Sequence, residues 1–163
     1  MYNISSNVWT WLAGNNTINA LGVYGTKGVA SVHNYPGSRD DHSMVFDPIQ
    51  NCIYIFGGYG YAQSTGMTFF NSIHTHINVG WLNDLWMFNI SSVQWTWLSG
   101  NRTAGIRGAY GTKGIPSVNN YPGARDGHSM VFDPVVNCFY VFGGFGYDQT
   151  TLGRAILFCI SLI

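Results

Sequence analysis

His42-Ser43-Met44-Val45-Phe46-Asp47-Pro48 is followed, after three residues, by Cys52-Ile53-Tyr54-Ile55-Phe56-Gly57-Gly58. Both stretches return 86 residues later, as His128 to Pro134 and as Cys138-Phe139-Tyr140-Val141-Phe142-Gly143-Gly144. Working outward from them, residues 3–66 align with residues 89–152 without a gap, and 42 of the 64 positions are identical. Self-similarity at a fixed period is the signature of a tandem structural unit.

Within one unit the strand signals come in a fixed order. His42 to Asp47 reads as a short first strand. Asp47-Pro48-Ile49-Gln50-Asn51 reads as a tight turn, because Pro presets φ and Asp and Asn bond the local backbone. Cys52 to Phe56 is apolar at every position, which predicts a second strand covered on both faces. Gly57-Gly58 ends it. Asp84 to Asn89 and Gln94 to Leu98, joined through Ser91-Ser92, give the third and fourth strands. The unit is therefore a four-stranded antiparallel meander.

Composition agrees. The acids are all Asp, the only lysines are Lys27 and Lys113, and charged residues make up 9% of the chain. Good helix formers are thus scarce, while 16% aromatics and 21 glycines suit strands and turns. The fold class is all-β. Net charge is zero and no basic run occurs, so nucleic-acid binding has no electrostatic footprint. Met1 to Leu12 lacks the pattern of a signal peptide. The longest apolar run, Ala155 to Ile163, is too short to span a membrane. The compartment, extracellular or cytoplasmic, stays open.

The ordered set of Arg39 and His42 before the first strand, Gly57-Gly58 after the second, Asn83-Asp84-Leu85 opening the third and Trp95 in the fourth resembles the kelch repeat. The second copy supplies Arg125, His128 and Gly143-Gly144. The added Trp-Thr-Trp, Tyr-Gly-Thr-Lys-Gly, Tyr-Pro-Gly and Phe-Gly-Gly motifs resemble a long-repeat branch of that family. The resemblance implies a β-propeller, in which four-stranded blades pack face to face around a channel.

Counted against one blade, the chain offers an incomplete ring of about two blades. Residues 1–14 match the end of a third strand and a fourth, 42–99 make a complete blade, and 128–144 supply strands one and two. Residues 67–80 are an insert, and 154–163 form an aberrant tail without a counterpart. Two foreign segments at one repeat phase fit either a tolerated loop site or misassigned coding boundaries. Propellers use about four to eight blades, so two do not close. The material reads as a fragment of a longer protein, or as a chain that self-assembles through complementary half blades.

Several residue groups invite a chemical reading. Ser43, His42 and Asp40, and their copies, lie too close along one strand for a triad, which needs separated groups. His74-Thr75-His76 is half of a metal site with no companion ligands at recognisable spacing. Gly22 to Gly28 lacks P-loop spacing. No cofactor or metal is assigned. Cys52 and Cys138, at equivalent positions of neighbouring blades, are expected as free buried thiols, since stacked sheets stand about 10 Å apart and a disulfide needs Cα atoms within about 7 Å. Asn3, Asn15, Asn89 and Asn101 begin N-glycosylation sequons, which serve equally as turn residues.

In a meander, successive loops alternate between the two faces. The second-to-third loop (59–81) and the fourth-to-first loops (14–41 and 100–127) are long and fall on one face. Loops on a rigid scaffold are where binding usually resides, so we expect a non-enzymatic scaffold that binds a protein or glycan there, with Tyr24, Lys27, Tyr110 and Lys113 as candidates. Two alternatives stand beside it. One is a fragment of a galactose-oxidase-like copper oxidase, an activity that some members of the resembled family host. The other is a truncated, nonfunctional product.

Overall fold

The computed structural model describes residues 1–63, 78–154 and 158–161. They form thirteen strands, and among the described residues there is no helix and none long and apolar enough to cross a membrane. In chain order the strands are β1 (Tyr2–Asn3), β2 (Val8–Trp9), β3 (Arg39–Asp40), β4 (Ser43–Asp47), β5 (Cys52–Phe56), β6 (Tyr59–Tyr61) and β7 (Val79–Trp81). They continue with β8 (Leu85–Asn89), β9 (Gln94–Ser99), β10 (Arg125–Asp133), β11 (Cys138–Tyr147), β12 (Leu152–Arg154) and β13 (Phe158–Ser161).

The complete blade is the meander β4-β5-β8-β9, antiparallel throughout. Local chemistry sets its turns. Asp47 Oδ1 accepts bonds from the backbone N–H groups of Ile49 and Gln50, and Asn51 takes a φ of 54°. Asp133 and Asn137 repeat this arrangement in the second copy. Between β8 and β9, Asn89 Oδ1 accepts from the Ser92 N–H. The four strands of this blade begin and end within one residue of those expected from the sequence, since turn residues with favoured local conformations separate them.

The second sheet is β10-β11, with β12 and β13 each paired to β11. Here β11 runs unbroken through Gly143-Gly144, whereas β5 stops before Gly57-Gly58. The tail strand β13 pairs Ser161 with Cys138 and Ile160 with Phe139. Asn89 and Phe88 of β8 face Cys52 and Ile53 in the same register. The described tail therefore lies where a third strand belongs, although its sequence has no repeat counterpart.

The two sheets stack. Cys52, Tyr54, Phe56 and Leu85 of the first blade form one buried cluster with Met130, Phe139 and Val141 of the second. Tyr54 sits 5.8 Å from Phe132 and 4.7 Å from Phe139, measured between ring centroids. Cys52 and Cys138 are both buried. The opposite face of β5 is covered differently: Ile55 packs with Trp86 and Trp97 and with Tyr24, which arrives from the long loop before the blade. In β11 only one face is covered, and Tyr140 and Phe142 stand exposed. The continuous apolar run predicts two covered faces; in β11 the side away from the first blade has no layer over it among the described residues.

The hairpin β1-β2 stands apart. Its aromatic residues Trp9 and Trp11 are 76% and 66% exposed. Their repeat equivalents in β9 are Trp95, half-buried, and Trp97, 8% exposed.

Candidate functional site

The long loops meet on one face and brace each other. The Gly22 N–H donates to the Ala62 carbonyl at 3.3 Å, and the Gln63 N–H to the Arg102 carbonyl at 3.0 Å. The Gly105 N–H donates to the Trp81 carbonyl at 2.8 Å. β3, β6 and β7 form a small three-stranded sheet beneath them. Gly37 of the Tyr-Pro-Gly motif lies so close to this sheet that a Cβ there would come within 1.8 Å of the Tyr61 carbonyl oxygen. A surface built this way presents loops on a stiff base.

Beneath that face lies a buried polar group with several internal bonds. Arg39 grips Asp84 with two bonds, and its Nη1 also donates to the Gly57 carbonyl. The Tyr24 hydroxyl (2.5 Å) and the Trp86 indole N–H (2.7 Å) both donate to Asp84 Oδ2. Burial alone would raise the Asp84 carboxyl, but Arg39 and these donors outweigh it and hold it below the ordinary range. Burial, with the Asp84 charge second, pushes the Tyr24 hydroxyl well above its usual value. Arg39 is raised despite burial, because Asp84 stabilises its charge. These bonds tie the blade's third strand to the long loop before the blade and to the Gly57 turn.

The other repeat residues take related structural places. Gly57 and Gly58 adopt left-handed φ values of 64° and 94°, and the Gly58 N–H donates to the Arg125 carbonyl. Trp95 packs on Phe88, while Gly143 and Gly144 repeat the left-handed pair. Arg125 is 1% exposed and donates to the Gly123 and Gly143 carbonyls. Burial lowers it, with Tyr110 opposing. His42 is exposed at the start of the first blade, and burial of part of its ring followed by Arg39 lowers it. His128 is buried against the edge of Phe56, with ring centroids 5.2 Å apart.

The four residues singled out on this face separate. Tyr24 is fully buried, with its hydroxyl committed to Asp84. Lys27 lies 4.5 Å over the Trp97 ring and donates to the Gly100 carbonyl. Tyr110 is half-buried and bonds to Arg125, and Lys113 is exposed. Two hollows open on the face. One, of about 370 Å³, lies among Tyr110, Ile115, Ser117, Asn120 and Gln149. The other, of about 310 Å³, is lined by Asn19, Leu21, Tyr61, Asn78 and Val79. The second hollow was not legible beforehand, because the insert edge that supplies Asn78 and Val79 occurs once.

Among the described residues, no group of three or more His, Cys, Asp or Glu side chains is placed to hold a metal ion. His74 and His76 lie outside the described residues. Each sequon asparagine caps a turn: Asn3, Asn15, Asn89 and Asn101 accept from the N–H groups of Ser6, Thr17, Ser92 and Thr103.

Residues 39–100 match the family model described as the Kelch motif. The chain carries a kelch motif. The match spans the whole of the blade described above, including Arg39, Gly57-Gly58, Asp84 and Trp95, so the kelch residues of this chain are those that knit one blade and join it to the next. No curated protein matches the chain at a significant level. A kelch motif in an all-β chain of stacked meanders marks a protein-binding module of the β-propeller type.

Proposed function

We propose that this kelch module is a non-enzymatic scaffold that meets a protein partner on its long-loop face, at the hollow between residues 19–21 and the β6-β7 hairpin. The observation that carries this reading is the make-up of that hollow. Leu21 and Val79 line it with apolar side chains, Tyr61 with a ring, and Asn19 and Asn78 with amides. Ile18, next in sequence to Asn19, is 89% exposed, and the exposed Arg102 accepts at its carbonyl from the Gln63 N–H, two residues after Tyr61. A few apolar anchors with polar groups around them are what a protein interface uses to bind and orient a side chain. Lys113 extends the same face, whereas Tyr24 and Lys27 act by holding its loops in place.

Cross-linking of the chain to proteins captured from its native source, followed by peptide mapping, tests the assignment. Cross-links should fall in loops 14–22, 78–81 and 100–107, and Leu21→Arg should abolish them while strand content is unchanged. Cross-links confined to the short-loop turns at 48–51 and 134–137 would refute it.

A further inference from the structure

The 370 Å³ hollow has an occupied twin within the same chain. Its lining residues Tyr110, Ser117, Asn120 and Gln149 correspond, 86 residues earlier, to Tyr24, Ser31, Asn34 and Gln63. Around those earlier residues the space is filled by β9. The Gly28 N–H donates to the Trp97 carbonyl (2.8 Å), the Ser31 N–H to the Trp95 carbonyl (3.2 Å), and Asn34 Nδ2 to the Trp95 carbonyl (3.3 Å). Tyr24 meets the Trp97 ring edge-on at 5.2 Å, and Lys27 covers the other side of that ring. The long loop before each blade is therefore a cradle for that blade's fourth strand.

In the second copy the cradle is built and open. Gly111 and Gly114 keep the left-handed φ values of Gly25 and Gly28, and Asn120 keeps its bond to the local carbonyl of Ile115. Among the described residues no strand lies in it, and β13 has no partner on the edge that β8 gives to β9. At the other end of the chain, Trp9-Thr10-Trp11-Leu12 repeats Trp95-Thr96-Trp97-Leu98 letter for letter, and both of its tryptophans are exposed. The chain thus holds an empty socket and a bare plug, together with an internal example of the two joined.

We infer that residues 8–13 of one copy of this chain seat in the 109–120 cradle of a second copy, so that the chains associate head to tail. The internal example fixes the contacts. The Gly114 and Ser117 N–H groups donate to the Trp11 and Trp9 carbonyls, Lys113 lies over the Trp11 ring, and β2 pairs with the free edge of β13. Met1, Tyr2 and Asn3 must leave residues 8–10 for this, since they occupy the edge that β13 would take. The interface joins two different surfaces, so it closes into a ring if the rotation allows. At two blades per chain, three chains reach six blades, within the usual range of about four to eight. This inference is independent of the partner hollow at residues 19–21.

Sedimentation equilibrium of the 163-residue chain at micromolar concentrations tests it. The expected mass is about three times 18.0 kDa, with the tryptophan emission shifted to the blue on association. Trp9→Ala/Trp11→Ala removes two largely exposed side chains whose local contacts are the Tyr2 ring and the Ala13 carbonyl, so the variant should keep its strand content and sediment as a monomer. A synthetic peptide of residues 7–14 in excess should likewise dissociate the wild type. A wild type that stays monomeric, or association untouched by both the double variant and the peptide, would overturn the inference.

Discussion

Arg39 and Asp84 hold each other through two parallel bonds, Nη1 to Oδ1 at 2.6 Å and Nη2 to Oδ2 at 2.8 Å, with 4% and none of their side chains exposed. The repeat places Arg125 at the equivalent position, as deeply buried, yet among the described residues no carboxylate pairs with it as Asp84 does with Arg39. The same side chain thus stands in two electrostatic settings. In one a carboxylate raises the guanidinium; in the other burial lowers it.

Breaking the buried pair from one side strands a charge. Asp84→Ala should destabilise the fold by about 3–5 kcal/mol, and Arg39→Met by a similar amount. The double variant Arg39→Met/Asp84→Leu should cost less than the two added together, because no unpaired charge remains. Arg125→Met should be milder than Arg39→Met, since it leaves no carboxylate behind. Urea unfolding of the four variants checks the set; equal costs at positions 39 and 125 would contradict it.

The two copies also offer a matched pair of glycines. Gly57 and Gly143 both sit at left-handed φ, 64° and 75°. A Cβ at Gly57 would meet the Arg125 carbonyl oxygen of the next sheet at 2.7 Å, whereas one at Gly143 meets nothing within 4 Å. Gly143→Ala should therefore cost only the backbone strain, about 1–2 kcal/mol. Gly57→Ala adds a clash that sheet stacking cannot relieve, and should cost clearly more. Thermal unfolding of the two alanine variants decides it.

Val93 should yield a stabilising change. It holds a φ of 56° in the turn between β8 and β9, where a β-branched residue is strained. Asn7, its equivalent in the first hairpin, has the same φ. Asn tolerates this conformation through its short polar side chain. Val93→Asn should raise stability by about 1 kcal/mol, read as a higher urea midpoint with an unchanged slope.

What could be read from the letters was whatever recurs at the 86-residue period. The Asp-Pro turns, the meander order and the glycine pairs are local signals, and each appears twice. Tyr24 was legible as a loop residue but not as a buried donor to Asp84, because the two are 60 residues apart and only the closed blade brings them together. The strand β13 escaped for the opposite reason. Its segment, Phe-Cys-Ile-Ser, shares no motif with Trp-Met-Phe-Asn, and pairing to β11 asks only for an extended apolar backbone. The cradle at 109–120 was half legible: its residues repeat, but their task shows only where β9 lies in the earlier copy.

The junction between the two sheets carries a pH dependence. His128 is 7% exposed and lies against Phe56 at the seam, where Ser43 Oγ donates to its carbonyl. Neither ring nitrogen has a hydrogen-bond partner among the described residues. Burial first, then the charges of Arg125 and His42, push its pKa down to about 4. The unfolded chain, with an ordinary His pKa near 6.5, binds this proton more readily than the folded one. Stability is therefore complete above about pH 6.5 and falls as the pH drops toward 4, by up to about 3 kcal/mol. His42, also lowered, acts in the same direction, while Asp84, whose folded pKa is depressed below the carboxylate range, contributes only at still lower pH. Imidazole resonances followed by NMR should show His128 neutral at pH 5. His128→Phe, which keeps an aromatic ring at the seam, should flatten the loss of stability between pH 6.5 and 4; a variant with the wild-type slope would show that the proton is taken up elsewhere.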